Sequence, residues 1–195
     1  MDDNYLLIGI DGGATKVSGW SIKVEDREEF FLGDYHAVLS YSEQAEYIGN
    51  FQAVDIQKQL QEFKSGNIQL LERENQQGEA FIKSAAQVIK QLVELSGQNR
   101  VLIGAGMPGL KTNDERRIAV MANGPRILQY CNKLEKILGD NNIELVEPIG
   151  CLGSDAFYCG VGEEYAKNGF FRGVQNSYYL GGGTGAADAL KLDGK

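Results

Sequence analysis

A short apolar run that ends in a glycine-rich loop constrains the fold of this chain more than any other feature. Residues 5–10 are Tyr-Leu-Leu-Ile-Gly-Ile, and residues 11–16 continue as Asp-Gly-Gly-Ala-Thr-Lys. An alternating pattern typical of a strand resumes from Val17 to Val24. The sequence therefore predicts two antiparallel strands that are joined by a tight turn within the loop.

The same arrangement returns near the other end of the chain. Residues 176–180 form a predicted strand that leads directly into Gly181-Gly182-Gly183-Thr184-Gly185, and residues 189–192 resume as another strand. Four glycines are more than a turn needs, and each one costs conformational entropy on folding. Each end of the sequence therefore carries a strand, a glycine-rich turn with a threonine, and a second strand.

Helices and short strands fill the sequence between these two loops. Apolar residues at spacings of three and four predict helices, and short apolar runs that end at glycine or proline predict buried strands. The predicted helices cover about residues 57–62, 78–95, 127–138 and 156–167, and the predicted strands cover residues 101–106 and 143–146. The pairs Gly66-Asn67 and Ser96-Gly97 predict where the first two helices end.

Charge and composition exclude several classes of partner. The 195 residues include 19 basic and 27 acidic ones, and the net charge of -8 opposes nonspecific adhesion to nucleic acid or to an anionic membrane. No apolar run approaches the roughly 20 residues that span a bilayer, and the acidic start is unlike a signal peptide. We therefore expect a cytoplasmic protein with a small-molecule partner. Its three cysteines are expected to remain thiols without a chemical role.

The loop after the first strand has the groups that binding a polyphosphate requires. Gly12 and Gly13 allow backbone amides to approach anionic oxygens, Thr15 offers a hydroxyl group, and Lys16 offers a compact positive charge. Asp11 could hold Mg²⁺, which prefers oxygen ligands. A plain hairpin turn explains the Asp-Gly pair equally well. The second loop shifts the balance, because Gly182, Gly183, Thr184 and Gly185 could hold the distal phosphates from the opposite side.

An aspartate lies between the two loops, where a helix is predicted to begin. Asp155 in Gly-Ser-Asp-Ala-Phe could accept a proton from a substrate hydroxyl group and orient it for attack on a terminal phosphate. A carboxylate that caps the helix is the alternative interpretation. Its position relative to the two loops favours the catalytic role. The single histidine, His36, is interpreted as structural or exposed.

A third corner of small residues follows the predicted strand at 101–106. Its sequence, Gly104-Ala105-Gly106-Met107-Pro108-Gly109, indicates a backbone that passes close to a ligand or to a neighbouring strand. Asn113, Asp114 and Asn123 follow it and could bond to sugar hydroxyl groups, although the ordinary polarity of loops explains them equally well. Glu163 and Glu164 are most simply interpreted as solvated charges on a helix.

In this order the motifs resemble those of the ROK family of sugar kinases and regulators, within the actin, hexokinase and Hsp70-like superfamily. Residues 8–16 look like the first phosphate motif, with Ala14 as a departure from the usual Gly-Gly-Thr-Lys, and residues 181–185 resemble the second. Ser154-Asp155-Ala156 matches the Asn-Asp-Ala motif of the catalytic base, with Ser154 in place of the sugar-binding Asn. Gly109 belongs to the Gly-x-Pro-Gly corner near the sugar, the segment after it that contains Asn123 approaches the sugar, and Glu163 fits the Gly-Glu along the following helix.

The resemblance implies an α/β fold of the ribonuclease H-like kind, a mixed sheet with helices on both faces. It implies an ATP-dependent carbohydrate kinase that uses Mg²⁺ and transfers the terminal phosphate of ATP to a hexose or an amino sugar, and it allows a homodimer. Members are about twice this length, so residues 1–185 are expected to be the N-terminal domain and residues 186–195 the start of a transition to a second domain. This piece alone is expected to be inactive. The alternatives are a sugar sensor without catalysis, and a relative of the BadF-type ATPases and N-acetylglucosamine kinases.

Overall fold

The computed structural model of this chain describes residues 5–25, 29–182 and 186–195. Its strands are β1 (Leu6–Gly12), β2 (Lys16–Glu25), β3 (Glu29–Ser40), β4 (Arg100–Gly106), β5 (Leu110–Lys111), β6 (Ile118–Val120), β7 (Glu144–Leu145), β8 (Leu152–Gly153), β9 (Ser177–Gly182) and β10 (Ala186–Lys191). Its helices are α1 (Ile56–Ser65), α2 (Glu72–Ser96), α3 (Tyr130–Asp140) and α4 (Asp155–Tyr165), and a short 3-10 helix covers Tyr41–Glu43. None of the described helices is long and apolar enough to cross a membrane.

A central mixed sheet carries its strands in the order β3-β2-β1-β4-β7. The first three strands along the chain are antiparallel neighbours, whereas β4 runs parallel to β1 and β7 runs parallel to β4. β8 also pairs with β4 in parallel, but at the opposite end, beside Ala105 and Gly106. Two short strands therefore share the last position of the sheet, and the chain leaves the sheet between them.

One face of the sheet is buried beneath α2. Ile8 and Ile10 of β1 alternate with less buried neighbours, as expected for a strand with one face in the core. Val88 and Leu92 of α2 approach Gly19 so closely that a side chain at that position would collide with Val88 and crowd Leu92. Full burial of one such aliphatic side chain contributes about 1.5–3 kcal/mol, so this contact between helix and sheet is a large part of the driving force for folding.

The opposite face of the sheet is approached by α4. Gly106 follows Ala105, whose side chain is in the core, so a side chain at Gly106 would point to the other face. There it would meet Tyr158 of α4, and a side chain at Gly153 would collide with the same ring. The prediction of a mixed sheet with helices on both faces is therefore confirmed.

A buried ion cluster around Arg126 joins α1, the start of α2 and the segment after β6. The Arg126 side chain is 1% exposed and donates hydrogen bonds from Nε and Nη2 to the two carboxylate oxygens of Glu74, both at 2.7 Å. It also pairs with Glu62 of α1 and donates to the Gln69 carbonyl at 3.0 Å. The segment after β6 is thereby fixed to both α1 and the start of α2.

The β9–β10 hairpin is attached to α4 rather than to the central sheet. The Lys191 ammonium group, on β10, donates to the Phe171 carbonyl at 3.0 Å and pairs with Glu164 of α4. Glu164, which the sequence suggests is a solvated charge, therefore has a partner. His36 is exposed, as expected, and its ring stacks on Trp20 with centroids 3.9 Å apart.

Several boundaries differ from those that the sequence predicts. α2 begins at Glu72 instead of near Gly78, and α3 begins at Tyr130, because Ile127 forms a bridge with Ile118 instead of a helical turn. The long strand β3 is not apparent from the sequence pattern. The predicted helix ends are confirmed, since Gly66 and Gly97 both adopt left-handed backbone conformations at the ends of α1 and α2.

Candidate functional site

Three parallel strands bring the predicted motifs to one edge of the sheet. Asp11 at the end of β1 is the register partner of Gly106 at the end of β4, and Gly106 is the partner of Gly153 at the end of β8. Asp155 follows only two residues later. The carboxyl ends of parallel strands are the usual place for a ligand in such sheets, because the chain there turns away and leaves a crevice.

The charge of Asp155 acts on the ionisation of Asp11. The Asp11 side chain is exposed, yet neighbouring protein atoms partly desolvate its carboxyl group. This burial, together with the negative charge of Asp155, raises the pKa of Asp11, while the nearby Lys16 lowers it. The two carboxylates and the lysine therefore act on one another near the end of β1, although they come from two strands, β1 and β2, and from helix α4.

The loop between β1 and β2 is a tight turn that leaves its polar groups free. The Gly13 N–H donates to the Lys16 carbonyl at 2.9 Å, and the buried Tyr41 hydroxyl group donates to the Gly13 carbonyl at 3.2 Å. Within the described residues, neither the Ala14 N–H nor the Thr15 hydroxyl group has a hydrogen-bond partner. These groups are available to the oxygens of a bound phosphate.

Glycine is required at position 12 for a packing reason. Gly12 is buried, and a side chain there would collide with the sulfur of Met107, which is itself completely buried. The glycine-rich loop after β1 therefore packs directly against the turn after β4 that contains Met107. The sequence shows two separate small-residue motifs, and the structure brings them into contact.

Ser154, not Asp155, caps helix α4. The Ser154 side chain accepts a hydrogen bond from the Phe157 N–H at 3.5 Å, and Asp155 is the first helical residue. No hydrogen bond or ion pair engages the Asp155 carboxylate anywhere in the described ranges. The alternative interpretation of Asp155 as the cap is therefore wrong in this structure, and its carboxylate remains half-buried and free at the start of the helix.

A network of polar contacts holds the segment that leads to Asp155. Nη2 of Arg116 donates to both carboxylate oxygens of Glu135 of α3, each at 2.9 Å, and Nη1 donates to the Ile149 carbonyl. The Ile149 N–H donates to Glu135 at 2.8 Å, and the Met107 N–H donates to the Gly153 carbonyl at 3.0 Å. These contacts hold the backbone at Ile149 and at Gly153, on the segment that leads to Asp155.

Gly109 has a conformation that favours glycine. Its φ is +91°, and a side chain there would collide with the Val120 carbonyl across the β5–β6 hairpin. Asn123 lies in an exposed turn just after β6, next to Met121, whose backbone is held by the buried Gln59. No hydrogen bond in the described part of the chain joins Asn123 to Asp11 or Asp155.

Glu163 lies about two turns along α4 from Asp155, and one of its carboxylate oxygens accepts a hydrogen bond from the Phe170 N–H at 2.9 Å. Tyr179 of β9 lies nearby: its interaction with Cys159 and, to a smaller extent, burial and the charges of Glu163 and Asp11 raise the pKa of its hydroxyl group. β9 packs beside α4. Gly182 is exposed at its end, whereas Gly183, Thr184 and Gly185 lie outside the described residues.

Two residues near this site are not indicated by the sequence. Lys111 follows the Gly109 corner and donates to two backbone carbonyls of that corner, and Tyr179 of β9 interacts with Cys159 of α4. A single lysine after a glycine has no pattern to mark it, because its role depends on how the turn folds back. The adjacent tyrosines of β9 indicate only a strand.

Asp11 is a suitable partner for Mg²⁺ bound together with a nucleotide. No group of three or more candidate metal-ligating side chains is found among the residues that the structure describes. Mg²⁺ in nucleotide sites usually keeps several waters and takes one or two carboxylates besides the phosphate oxygens. The exposed carboxylate of Asp11, beside a turn with free N–H and hydroxyl donors, fits that kind of site.

Solved structures of sugar kinases share this fold. An inorganic polyphosphate/ATP-glucomannokinase from Arthrobacter sp. strain KM is 19% identical, with a TM-score of 0.62 over 98% of this chain. A ROK family glucokinase from Streptomyces griseus, in complex with glucose and AMPPNP, is 16% identical, with a TM-score of 0.58 over 97% of this chain. A ROK hexokinase from Thermus thermophilus is 18% identical, with a TM-score of 0.50 over 97% of this chain. The predicted resemblance to these kinases is thus confirmed for the fold.

This chain spans 60%, 45% and 48% of the lengths of these three structures, respectively. No family model matches the sequence. A search of curated proteins also finds no match. This chain therefore resembles sugar kinases in its three-dimensional fold, and the fold brings the predicted motifs to one edge of the sheet.

Proposed function

We propose that this chain supplies the phosphate-binding and hydroxyl-activating face of an ATP-dependent carbohydrate kinase. The observation that carries the proposal is the free carboxylate of Asp155, beside Asp11 at the carboxyl ends of three parallel strands. A general base must be free to accept a proton, and Ser154 has taken over the capping role that would otherwise occupy it.

In the proposed reaction, Asp155 accepts the proton of a sugar hydroxyl group as the hydroxyl oxygen bonds to the terminal phosphorus of ATP. The bond from that phosphorus to the oxygen of ADP breaks at the same time. Lys16, Thr15 and the amides of Gly12 and Gly13 would bind the phosphates, and Mg²⁺ held by Asp11 would neutralise their charge. The solved complex of a similar fold with glucose and AMPPNP supports a sugar and a nucleotide as the two substrates.

The remaining roles are assigned to residues around this centre. Gly182 at the end of β9, with Gly183, Thr184 and Gly185 after it, would bind the phosphates from the side opposite the loop after β1. Gly109, Asn123, Ser154 and Glu163 would face the sugar. Residues 1–185 would form the first domain of a cytoplasmic enzyme, and a second domain would close over the substrates and exclude water.

The test is phosphorylation by the full gene product that contains this chain. We expect ATP consumption with at least one hexose or amino sugar in a panel, and a loss of at least about 10²-fold in kcat for Asp155→Asn, because general acid–base groups contribute that much. Asp140→Asn, an exposed aspartate at the end of α3, is the matched control and should keep full activity.

Undiminished phosphorylation by Asp155→Asn would remove this residue from the reaction. Sugar binding without phosphorylation by the parent protein would instead favour a sugar sensor. The two results can be distinguished by isothermal titration of the parent and of Asp155→Asn with the same sugars.

A further inference from the structure

The turn between β1 and β2 is held from its buried side by the start of the 3-10 helix. The Tyr41 hydroxyl group donates a hydrogen bond to the Gly13 carbonyl at 3.2 Å, and the Tyr41 N–H donates to the Thr15 carbonyl at 3.1 Å. The Ser40 hydroxyl group also donates to the Thr15 carbonyl, at 3.4 Å. Two carbonyls of the proposed phosphate loop are therefore turned towards the protein by residues from a later part of the chain.

The bond to Gly13 determines which way the next amide points. The Gly13 carbonyl and the Ala14 N–H belong to one planar peptide unit, and this unit is trans, so the two groups point in opposite directions. The Ala14 N–H is therefore directed away from the Tyr41 hydroxyl group, and it has no hydrogen-bond partner within the described ranges. A carbonyl in its place would repel a phosphate oxygen, whereas this N–H can donate to one.

Tyr41 is itself fixed in the core. The residue is 1% exposed, and its ring stacks on Phe81 of α2 with centroids 3.7 Å apart. The backbone beside it is held by two further bonds: the Ser40 hydroxyl group accepts from the Ser42 N–H at 3.3 Å, and the Glu43 carboxylate accepts from the Ser40 N–H at 3.0 Å. The Tyr41 hydroxyl group is thus presented to the loop on a rigid support, so that little ordering of the loop remains to be done when a ligand binds.

We infer that Tyr41 is a positioning residue of the proposed phosphate loop: its hydroxyl group holds the Gly13 carbonyl inward and thereby presents the Ala14 N–H to a phosphate oxygen. The inference rests on the proposed function for the identity of the ligand, the polyphosphate of ATP. A buried tyrosine hydroxyl group with a purely structural role would also bond to a backbone carbonyl. The two roles differ in one consequence, because only the positioning role links this hydroxyl group to phosphate affinity.

The direct test uses Tyr41→Phe, which removes the hydroxyl group and keeps the ring that stacks on Phe81. In the isotope-labelled parent chain, we expect the NMR signal of the Ala14 amide to shift and saturate as sodium triphosphate is added with Mg²⁺. In Tyr41→Phe the Kd for triphosphate should rise about three- to tenfold, the factor that corresponds to one hydrogen bond. Tyr35→Phe, at a partly buried tyrosine of β3, is the matched control and should leave this Kd unchanged.

The second test uses the full gene product and separates positioning from general damage. We expect Tyr41→Phe to raise the KM for ATP about three- to tenfold, because the loop binds the phosphates in the ground state and in the transition state alike. The kcat value, and the KM for the sugar at saturating ATP, should stay close to those of the parent. A variant that is merely less well folded would instead lose active protein, which lowers kcat and leaves both KM values unchanged.

The outcomes of these tests are distinguishable. An unchanged Kd for triphosphate in Tyr41→Phe, with circular dichroism that matches the parent, would overturn the positioning role and leave only a buried hydroxyl group with a partner. An equal rise in Kd for Tyr35→Phe would overturn it as well. If the parent binds neither triphosphate nor ATP, the proposed function fails and the role of Tyr41 fails with it, a result that the parent alone reveals without either variant.

Discussion

At the scale of a single residue, the Asp11 carboxylate lies where its ionisation opposes folding. Burial and the charge of Asp155 raise its pKa above the ordinary value of 3.8, whereas in the unfolded chain the value should be close to the reference for aspartate, about 3.9. The folded state therefore binds the Asp11 proton more tightly than the unfolded state, and at pH values between the two pKa values it carries more of that proton. The destabilisation is therefore fully present above the folded pKa, and it disappears as the pH falls through that value towards the unfolded one.

Asp11→Asn is consequently expected to raise the melting temperature at pH 7 while it weakens the binding of Mg²⁺ with a nucleotide. The gain in stability should shrink as the pH is lowered towards about 4, because the parent carboxyl group is then increasingly protonated. Thermal melts of both chains across this pH range provide the measurement. Asp34→Asn is the control, since Asp34 pairs with Lys23 on the surface and its loss should give no gain. A lower melting temperature for Asp11→Asn at pH 7 would contradict this account.

At the scale of secondary structure elements, the buried cluster around Arg126 holds α1, α2 and the segment after β6 in one arrangement. Arg126→Met would leave the Glu74 carboxylate buried without its partner, and we expect a loss of about 3–5 kcal/mol in the free energy of unfolding. Denaturant titration measures this loss. The double variant Glu74→Met with Arg126→Met should be much less destabilised than the single one, because no charge is then left buried.

Lys136→Met provides the matched surface control for this experiment. Lys136 pairs with Asp140 at 2.9 Å, but both side chains are mostly exposed, so the change should alter the free energy of unfolding by about 1 kcal/mol or less. If Arg126→Met were no more destabilising than Lys136→Met, the cluster would not be holding the three elements together.

At the scale of the whole molecule, the three thiols differ in accessibility. Cys151 is exposed, whereas Cys131 of α3 is completely buried, and this burial raises the pKa of its thiol to about 12. A thiol reagent needs the thiolate, so Cys131 should react only when the chain unfolds. Pulsed labelling with mass spectrometry should therefore find Cys151 modified early and Cys131 at the rate of global unfolding. Equal rates for the two would show that α3 opens separately from the core.

The sequence predicts the parts of this fold whose side chains are strongly patterned. β1, β2, β4 and the apolar half of α2 carry regular alternation or helical spacing, and the loops beside them carry glycines. β3 is missed because its exposed residues, such as Asp34 and His36, interrupt any apolar run. The first turns of α2 are missed because Glu74 and Gln77 are polar; both are buried only because Arg126 and the Ile48 N–H supply their partners from distant parts of the chain.

The candidate site is predictable to a similar degree. Asp11, Lys16 and Asp155 are recognisable from the residue types that phosphate chemistry needs. The parallel strands explain why Asp11 and Asp155 lie at one edge, and the β1–β2 turn brings Lys16 back to Asp11. The capping role of Ser154 and the double hydrogen bond of Lys111 depend on backbone directions that no local pattern encodes.

The contact between Gly12 and the buried Met107 sulfur makes two neighbouring loops mechanically dependent on each other. Neither loop can shift towards the other without displacing it, because no empty space separates them. If one loop binds the nucleotide and the other borders the sugar, a ligand that moves its own loop also moves the loop that contacts the second ligand. The two ligands should then bind cooperatively, and by thermodynamic reciprocity the factor by which the sugar changes nucleotide affinity must equal the factor by which the nucleotide changes sugar affinity.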